Sequence, residues 1–295
     1  MTAPRRIVRR ATYLISRRCT QREYLLKPSP LTNLILEYLL AVAARRYHVR
    51  IHAACFMSNH FHLVVTDLRG NLPEFIRILD GIIAKALNSL YGRWENLWAP
   101  SSYSAVLLAS PEDVVEKIAY TLANPASAGL VEHGRQWPGV WSDPWSIGGR
   151  GEWIERPGHY FSRSMPDKER LVFSVPPGFA SVEAFRAKVI ARVKELETAA
   201  AAEREAKGVR VLGVRGVRKQ RHTERPTTYE PRRVLDPRVA ARDTGKRIKL
   251  LQKLAKFLDD YREAWKNFRK GDRRAVFPRG TYLMRVRFGF ACEGG

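Results

Sequence analysis

An α+β fold, an antiparallel sheet with its helices packed on one face, is the class this sequence predicts. Three observations lead there. Four short runs in the first 110 residues have strand-like alternation or apolar character, stretches of helical periodicity separate them, and the order is strand, helix, strand, strand, helix, strand. That order is the ferredoxin-like split β-α-β arrangement. It leaves one sheet face free of helices.

Residues 11–17 read as the first strand. Residues 30–46 form a helix with an apolar stripe through Leu31, Leu34, Ile35, Tyr38, Leu39 and Val42, closed by Arg45 and Arg46 where basic charge suits a helix C-terminus. Residues 49–56 and 60–66 are two strands joined by Met57-Ser58-Asn59, a hairpin spacing. Residues 72–90 form the second helix, buried through Leu72, Phe75, Ile76, Leu79, Ile82, Ile83 and Leu87, and residues 103–108 the fourth strand. Ser110, Pro111 and Asp113 then start a third helix as N-cap, first-turn proline and capping-box acid, and Pro125 is expected to end it. His133, Trp137, Trp141 and Trp145 read as a packing segment that closes the domain.

Beyond residue 150 the pattern weakens. Residues 155–180 are polar and proline-rich, 181–207 an amphipathic helix, 208–238 a flexible basic tether, 246–270 a strong helix, and 281–290 a strand with Tyr282, Met284, Val286, Phe288 and Phe290 on one face. The organisation predicted is a domain over 1–150, a connecting segment over 151–207, and a basic, mainly helical extension over 208–295.

The net charge of +23 points to a polyanionic partner, nucleic acid before an anionic membrane. The surplus is uneven: residues 1–159 hold 19 basic and 13 acidic residues, residues 160–295 hold 33 and 16. Three scattered cysteines, Cys19, Cys55 and Cys292, fit neither a disulfide framework nor a zinc site. With no apolar run long enough to span a bilayer and no secretory signal pattern, a reducing, cytoplasmic setting at the nucleoid is expected.

The chemistry concentrates at His60-Phe61-His62. On a strand, residues i and i+2 share a face, so Phe61 turns into the core while His60 and His62 stand side by side. Paired histidines also occur on ordinary half-exposed sheet faces; two adjacent imidazoles can equally hold a divalent cation. In the third helix, Asp113, Lys117, Tyr120 and Asn124 fall in one arc opposite Val114, Ile118 and Leu122. This is either a solvated face or a stripe aimed at the free sheet face. On the second reading Tyr120 faces the histidines, Asn124 offers an oxygen to a cation, and Lys117 contacts phosphate or eases ionisation of the phenol.

Met57-Ser58-Asn59-His60-Phe61-His62-Leu63 resembles the Met-Pro-Asn-His-hydrophobic-His-Leu motif of the HUH single-tyrosine transposases. Tyr120-Thr121-Leu122-Ala123-Asn124-Pro125-Ala126-Ser127-Ala128-Gly129-Leu130-Val131 resembles the Tyr-x-x-x-Asn-Pro-x-x-Ala-Gly-Leu-Val helix of their REP-associated branch. The resemblance covers roughly residues 9–145, with Ser58 in place of the usual proline and Ala99-Pro100-Ser101-Ser102 where a basic residue is usual. It implies an HUH endonuclease fold and Mg²⁺ or Mn²⁺ on His60 and His62, with Asn124 as third ligand. It further implies Tyr120 as the nucleophile that displaces a 3′-oxygen and forms a 5′-phosphotyrosine link on single-stranded or hairpin DNA, as a monomer or homodimer. The candidate DNA contacts are Lys117, Arg17, Arg18, Arg215, Arg218, Lys219 and Arg221. The alternative is a catalytically retired protein that only holds DNA or RNA hairpins.

Overall fold

The computed structural model describes residues 4–100, 103–228 and 238–293. The elements run β1 (Ala11–Arg18), α1 (Pro30–Tyr47), β2 (Val49–Phe56), β3 (His60–Asp67), α2 (Leu72–Tyr91), β4 (Ser104–Leu108), α3 (Pro111–Ser127), β5 (Glu152–Glu155), β6 (Lys168–Leu171), α4 (Val182–Ala206), α5 (Gly213–Lys219), β7 (Val239–Ala240), α6 (Thr244–Arg269) and α7 (Leu283–Phe288). The main sheet has the order β2-β3-β1-β4-β7. It is antiparallel except for β7, which joins β4 in parallel and makes the sheet mixed.

Sequence alternation places the first helical layer. Tyr13, Ile15, Phe61, Leu63 and Val65 face α1 and α2, packing with Ile35, Leu39, Phe75, Leu79 and Ile83 into the larger core. The chain enters α2 through Asp67, which is fully buried. Its carboxylate accepts from the backbone N–H groups of Gly70 at 2.8 Å, Asn71 at 2.9 Å and Leu72 at 2.9 Å, the donors a helix start leaves without partners.

The second face is not free. Leu14, Ala53, Val64 and Val106 are apolar on that side as well, and α3 and α4 cover them with Val114, Ile118, Leu122, Phe185, Val189 and Val193. A strand apolar on both sides is a strand buried on both sides, and Leu63-Val64-Val65 carries that signature. The hairpin β5–β6 packs on the first core through Ile154 and Leu171, with Phe161 between its strands. Residues 151–207 therefore share the cores of the first 150, and the boundary expected at 150 separates no second core.

Three further expectations change. Pro125 lies inside α3, because the hydrogen bond it removes falls in the last turn and the helix ends two residues later, before Gly129 at φ +67°. Residues 281–290 are not a strand: Leu283–Phe288 is a short helix that buries Met284 and leaves Leu283, Val286 and Phe288 exposed. Met284 reaches a small core of Ala264, Phe277 and flanking Tyr261, Phe268 and Phe290, so one inward residue per turn suffices. The basic tether is structured in its described part. Val217 of α5 is buried with Cys55, Met57 and Trp137, while 229–237 lie outside the described residues. Trp137 and Trp141 close the domain as expected, donating to the carbonyls of Phe56 and Leu122 at 2.9 Å each, whereas Trp145 stands exposed. Among the described residues no helix is long and apolar enough to cross a membrane.

A bulge between Ile51 and Ala53 turns His52 fully inside. Its Nδ1 lies 2.7 Å from the Ser174 carbonyl and its Nε2 2.7 Å from Thr66 Oγ1, so a neutral ring donating from Nδ1 satisfies both. Burial pushes the imidazole down to about 4. Because the folded value lies below the unfolded one, stability held above pH 6.5 is lost as the pH falls towards 4. The His52 ring resonances should hold constant through neutral pH and titrate only near 4. For Asp67→Ala, loss of charge-assisted bonds at a buried helix start predicts about 2–3 kcal/mol lower unfolding free energy in urea, and Asp67→Asn a smaller loss.

Candidate active site

The site begins with a tight connection. Met57 N–H donates to the His60 carbonyl at 2.8 Å, and Cys19 N–H to the Asn59 carbonyl at 2.8 Å, fixing the start of β3 against β1. In that register Arg18 faces His60 and Ser16 faces His62. Residues opposite one another across a ladder share a face, so Arg18, Ser16 and both histidines lie on the α3 side.

Both imidazoles are oriented by neighbours. Asn59 Nδ2 donates to the Arg22 carbonyl at 3.1 Å, which turns its Oδ1 to His60 Nδ1 at 2.7 Å. An amide oxygen only accepts, so His60 Nδ1 carries the hydrogen and, in the neutral ring, Nε2 the lone pair. His62 Nδ1 lies 2.7 Å from Ser16 Oγ. The His62 ring is 7 % exposed. Burial holds it well below the usual histidine range, with the charges of His60 and Lys117 adding to the effect. It is therefore a neutral nitrogen donor at neutral pH. The two ring centres are 4.9 Å apart.

The third helix delivers the phenol. Ser110 caps it, accepting from Asp113 N–H at 3.3 Å, and Ile118, Ala119 and Leu122 anchor it on the sheet. Trp141 holds the Leu122 carbonyl, and the Arg204 guanidinium of α4 holds the Ala126 carbonyl at 2.8 Å. Tyr120 then lies at the rim, 42 % exposed, its ring centre 5.3 Å from that of His62 and nearly perpendicular to it. Lys117 Nζ is 5.5 Å from the centre of the same ring. Asn124 follows one turn on and is half-buried. Asp113 departs from the stripe: it is buried and accepts from Ser110 Oγ and from Arg242 N–H at 2.7 Å.

The expected DNA contacts divide. Arg17 lies on the opposite face, 12 % exposed, 3.2 Å from Asp80 and against Trp98, so it is a core ion pair and not a surface contact. Arg18 is exposed beside His60, and Arg215, Arg218, Lys219 and Arg221 are exposed on α5 and the turn after it. Ser101 and Ser102, which differ from the family motif, lie outside the described residues. Ser16 and Asn59, to which the sequence reading gave no role, are the residues that hold the two imidazoles. Ser16 could have been found by strand parity, since it shares a face with the histidines once β1 and β3 are paired.

Two imidazoles with their Nδ1 atoms engaged match the usual arrangement of metal-ligating histidines, in which the second ring nitrogen holds the ion. Among the described residues there is no group of three or more His, Cys, Asp or Glu that could hold a metal ion, and Asn124 offers an amide oxygen one turn beyond Tyr120. The residues present thus fit a divalent cation bound by an uncharged donor set.

No protein-family model matches the chain, and no curated protein matches it. Solved structures with similarity include a REP-associated tyrosine transposase bound to a REP hairpin, at 20 % identity and TM-score 0.39 over 47 % of this chain and 81 % of that one. Another is a protein described as a transposase from Deinococcus radiodurans R1, at 21 % identity and TM-score 0.29 over 36 % of this chain and 85 % of that one.

Ser16→Ala removes the group that holds His62 Nδ1 and leaves both imidazoles in place. Calorimetry with Mn²⁺ should register roughly a tenfold loss of affinity, the usual size for an outer-shell partner, with the thermal unfolding midpoint little changed.

Proposed function

We propose that this protein cleaves and rejoins single-stranded or hairpin DNA through a covalent tyrosine intermediate, in the manner of the REP-associated tyrosine transposases its motifs resemble. The observation that carries this reading is the meeting of two neighbouring imidazoles with a phenol far away in sequence: His60 against His62, and His62 against Tyr120, with ring centres 4.9 Å and 5.3 Å apart. The antiparallel order β2-β3-β1-β4, with α1 and α2 on one face, supports a ferredoxin-like core of the HUH type beneath them.

His60, His62 and Asn124 are the residues assigned to a divalent cation, Mg²⁺ or Mn²⁺. When bound, such an ion polarises the scissile phosphate and offsets the charge that develops on it. The chain's own residues do the rest. Ser16 and Asn59 hold both imidazoles by their Nδ1 atoms. Packing of Ile118 and Leu122 fixes the helix, so the phenol approaches from one side of the phosphate. The Tyr120 hydroxyl loses its proton to solvent, which its rim position admits. Its oxygen then bonds to phosphorus, and the 3′-oxygen of the upstream segment leaves and is protonated. The product is a 5′-phosphotyrosine, in which the energy of the phosphodiester is retained. Attack by a 3′-hydroxyl reverses the chemistry and joins strands with no nucleotide consumed. Lys117 stands where it can pair with a phosphate oxygen beside Tyr120, and Arg18 beside His60 does the same for the incoming backbone.

Tyr120→Phe should abolish covalent trapping on labelled hairpins in denaturing gels while leaving DNA affinity within about twofold, since only one hydroxyl is removed. His60→Ala combined with His62→Ala should eliminate cleavage that depends on Mg²⁺ or Mn²⁺. Undiminished trapping by either variant, or full activity in EDTA, overturns the assignment.

A further inference from the structure

Residues 209–228 form a strap that joins three parts of the site's surroundings. Leu212 N–H and Gly213 N–H donate to the carbonyls of Gly129 and Leu130, just beyond the tyrosine helix, at 3.0 and 2.9 Å. Val217 is buried against the connection before the histidine strand, and Ser58 Oγ donates to Gln220 Oε1 at 3.1 Å. The residue that departs from the family's usual proline is thus the one that fastens the strap. Further on, His222 stacks on Tyr91 with ring centres 4.2 Å apart, and Tyr24 N–H donates to the Glu224 carbonyl at 2.9 Å. The strap carries six basic residues against one acid, Glu224, and that acid is engaged by Arg221 N–H at 3.0 Å.

Through the His222–Tyr91 stack the strap abuts the loop after α2, and that loop presents Trp94 at 91 % exposure. The loop is tied on both sides of this residue. Arg93 N–H donates to the Asn88 carbonyl at 2.8 Å, the Glu95 carbonyl accepts from Asn88 Nδ2 at 2.7 Å, and the Arg93 guanidinium pairs with Glu23 at 3.4 Å. The indole is therefore held out into water by a fastened backbone. The loop then runs to Leu97 and Ala99, which bond to Thr20 and Arg18, the residue opposite His60. One continuous rim joins an exposed aromatic face, a row of cations and the edge of the histidine pair.

We propose that this rim binds the unpaired segment of the DNA, with Trp94 stacking on a base while Arg218, Arg221 and Arg225 of the strap contact phosphates. It rests on the DNA-processing reading above and names the part of the substrate the rim recognises. Unpaired DNA, and not duplex, is the partner the chemistry fits. An indole face needs a base free of its stack, and clustered guanidinium groups need a flexible backbone to reach them.

The test measures binding by the full chain, without cleavage, to a labelled oligothymidylate and to a blunt duplex. Trp94→Ala should weaken oligothymidylate binding by about tenfold, within the range for one stacked base, and leave duplex binding unchanged; Trp94→Phe should restore most of the loss. Because the ring is exposed, neither change disturbs the fold. Arg218→Glu with Arg221→Glu should flatten the salt dependence of oligothymidylate binding. Unchanged binding by Trp94→Ala, an equal loss on duplex, or an unchanged salt slope overturns the proposal. Covalent trapping by the wild-type chain is scored separately. A chain that shows Trp94-dependent binding but no trapping keeps the rim and loses the nuclease.

Discussion

The parity of one strand governs this molecule. β3 lies inside the sheet with helices over both faces, so each of its side chains commits to one of two layers. Phe61, Leu63 and Val65 go to α1 and α2; His60, His62 and Val64 go to the other side. A slip of one residue would exchange the two sets, burying imidazoles in the larger core and turning Phe61 out. That slip is blocked by apolar contacts, not by the histidines. Phe61 is wedged between Phe56 and Trp98, with ring centres 5.0 and 5.6 Å away, and loss of such a ring from a core costs about 3–5 kcal/mol. The catalytic geometry is a by-product of hydrophobic register.

The second layer sets how the site meets solvent. With α3 and α4 laid over Leu14, Val64 and Val106, His62 is nearly dry and Tyr120 is confined to the helix's edge. A nearly buried imidazole thus lies beneath a half-exposed phenol, so what solvent access the pair has is on the Tyr120 side. Low water content near His62 also strengthens any electrostatic contact made there.

Much of this was legible in the sequence. The four strands and the first three helices follow from periodicity, and the meeting of His60, His62 and Tyr120 follows from strand parity plus a helical arc. The free sheet face did not survive, because Leu14, Val64 and Val106 are apolar and share one core with α3 and with the helix at 182–206, which lies over 70 residues away in sequence. Arg17 looked like a twin of Arg18, yet adjacent strand residues point oppositely, and parity sent it to Asp80. The segment 281–290 alternates well enough for a strand, but Leu283–Phe288 is helical and only Met284 of that helix is buried. Asp113 fell in the right arc and was taken by the Arg242 backbone, a partner 129 residues distant.

The basic C-terminal half acquires a physical role once the donor set at the site is counted. Two imidazoles and an amide oxygen bring no negative charge, so a divalent cation held there, as proposed, would keep its full charge and be balanced only by a phosphate. On that proposal affinity for the ion and for the DNA would be coupled, and something else would have to hold the strand near the site. The strap of guanidinium groups docked beside Ser58 would, as proposed, do this at a distance, through contacts that weaken with salt but do not compete for the reacting phosphate. Placed on a loose tail, the same charges would spread their attraction over a wide volume. Val217, buried at 0 % exposure, and the Ser58–Gln220 bond fix them next to the histidine strand. On the proposed function, that proximity would turn a general attraction for polyanions into delivery of a strand to Tyr120.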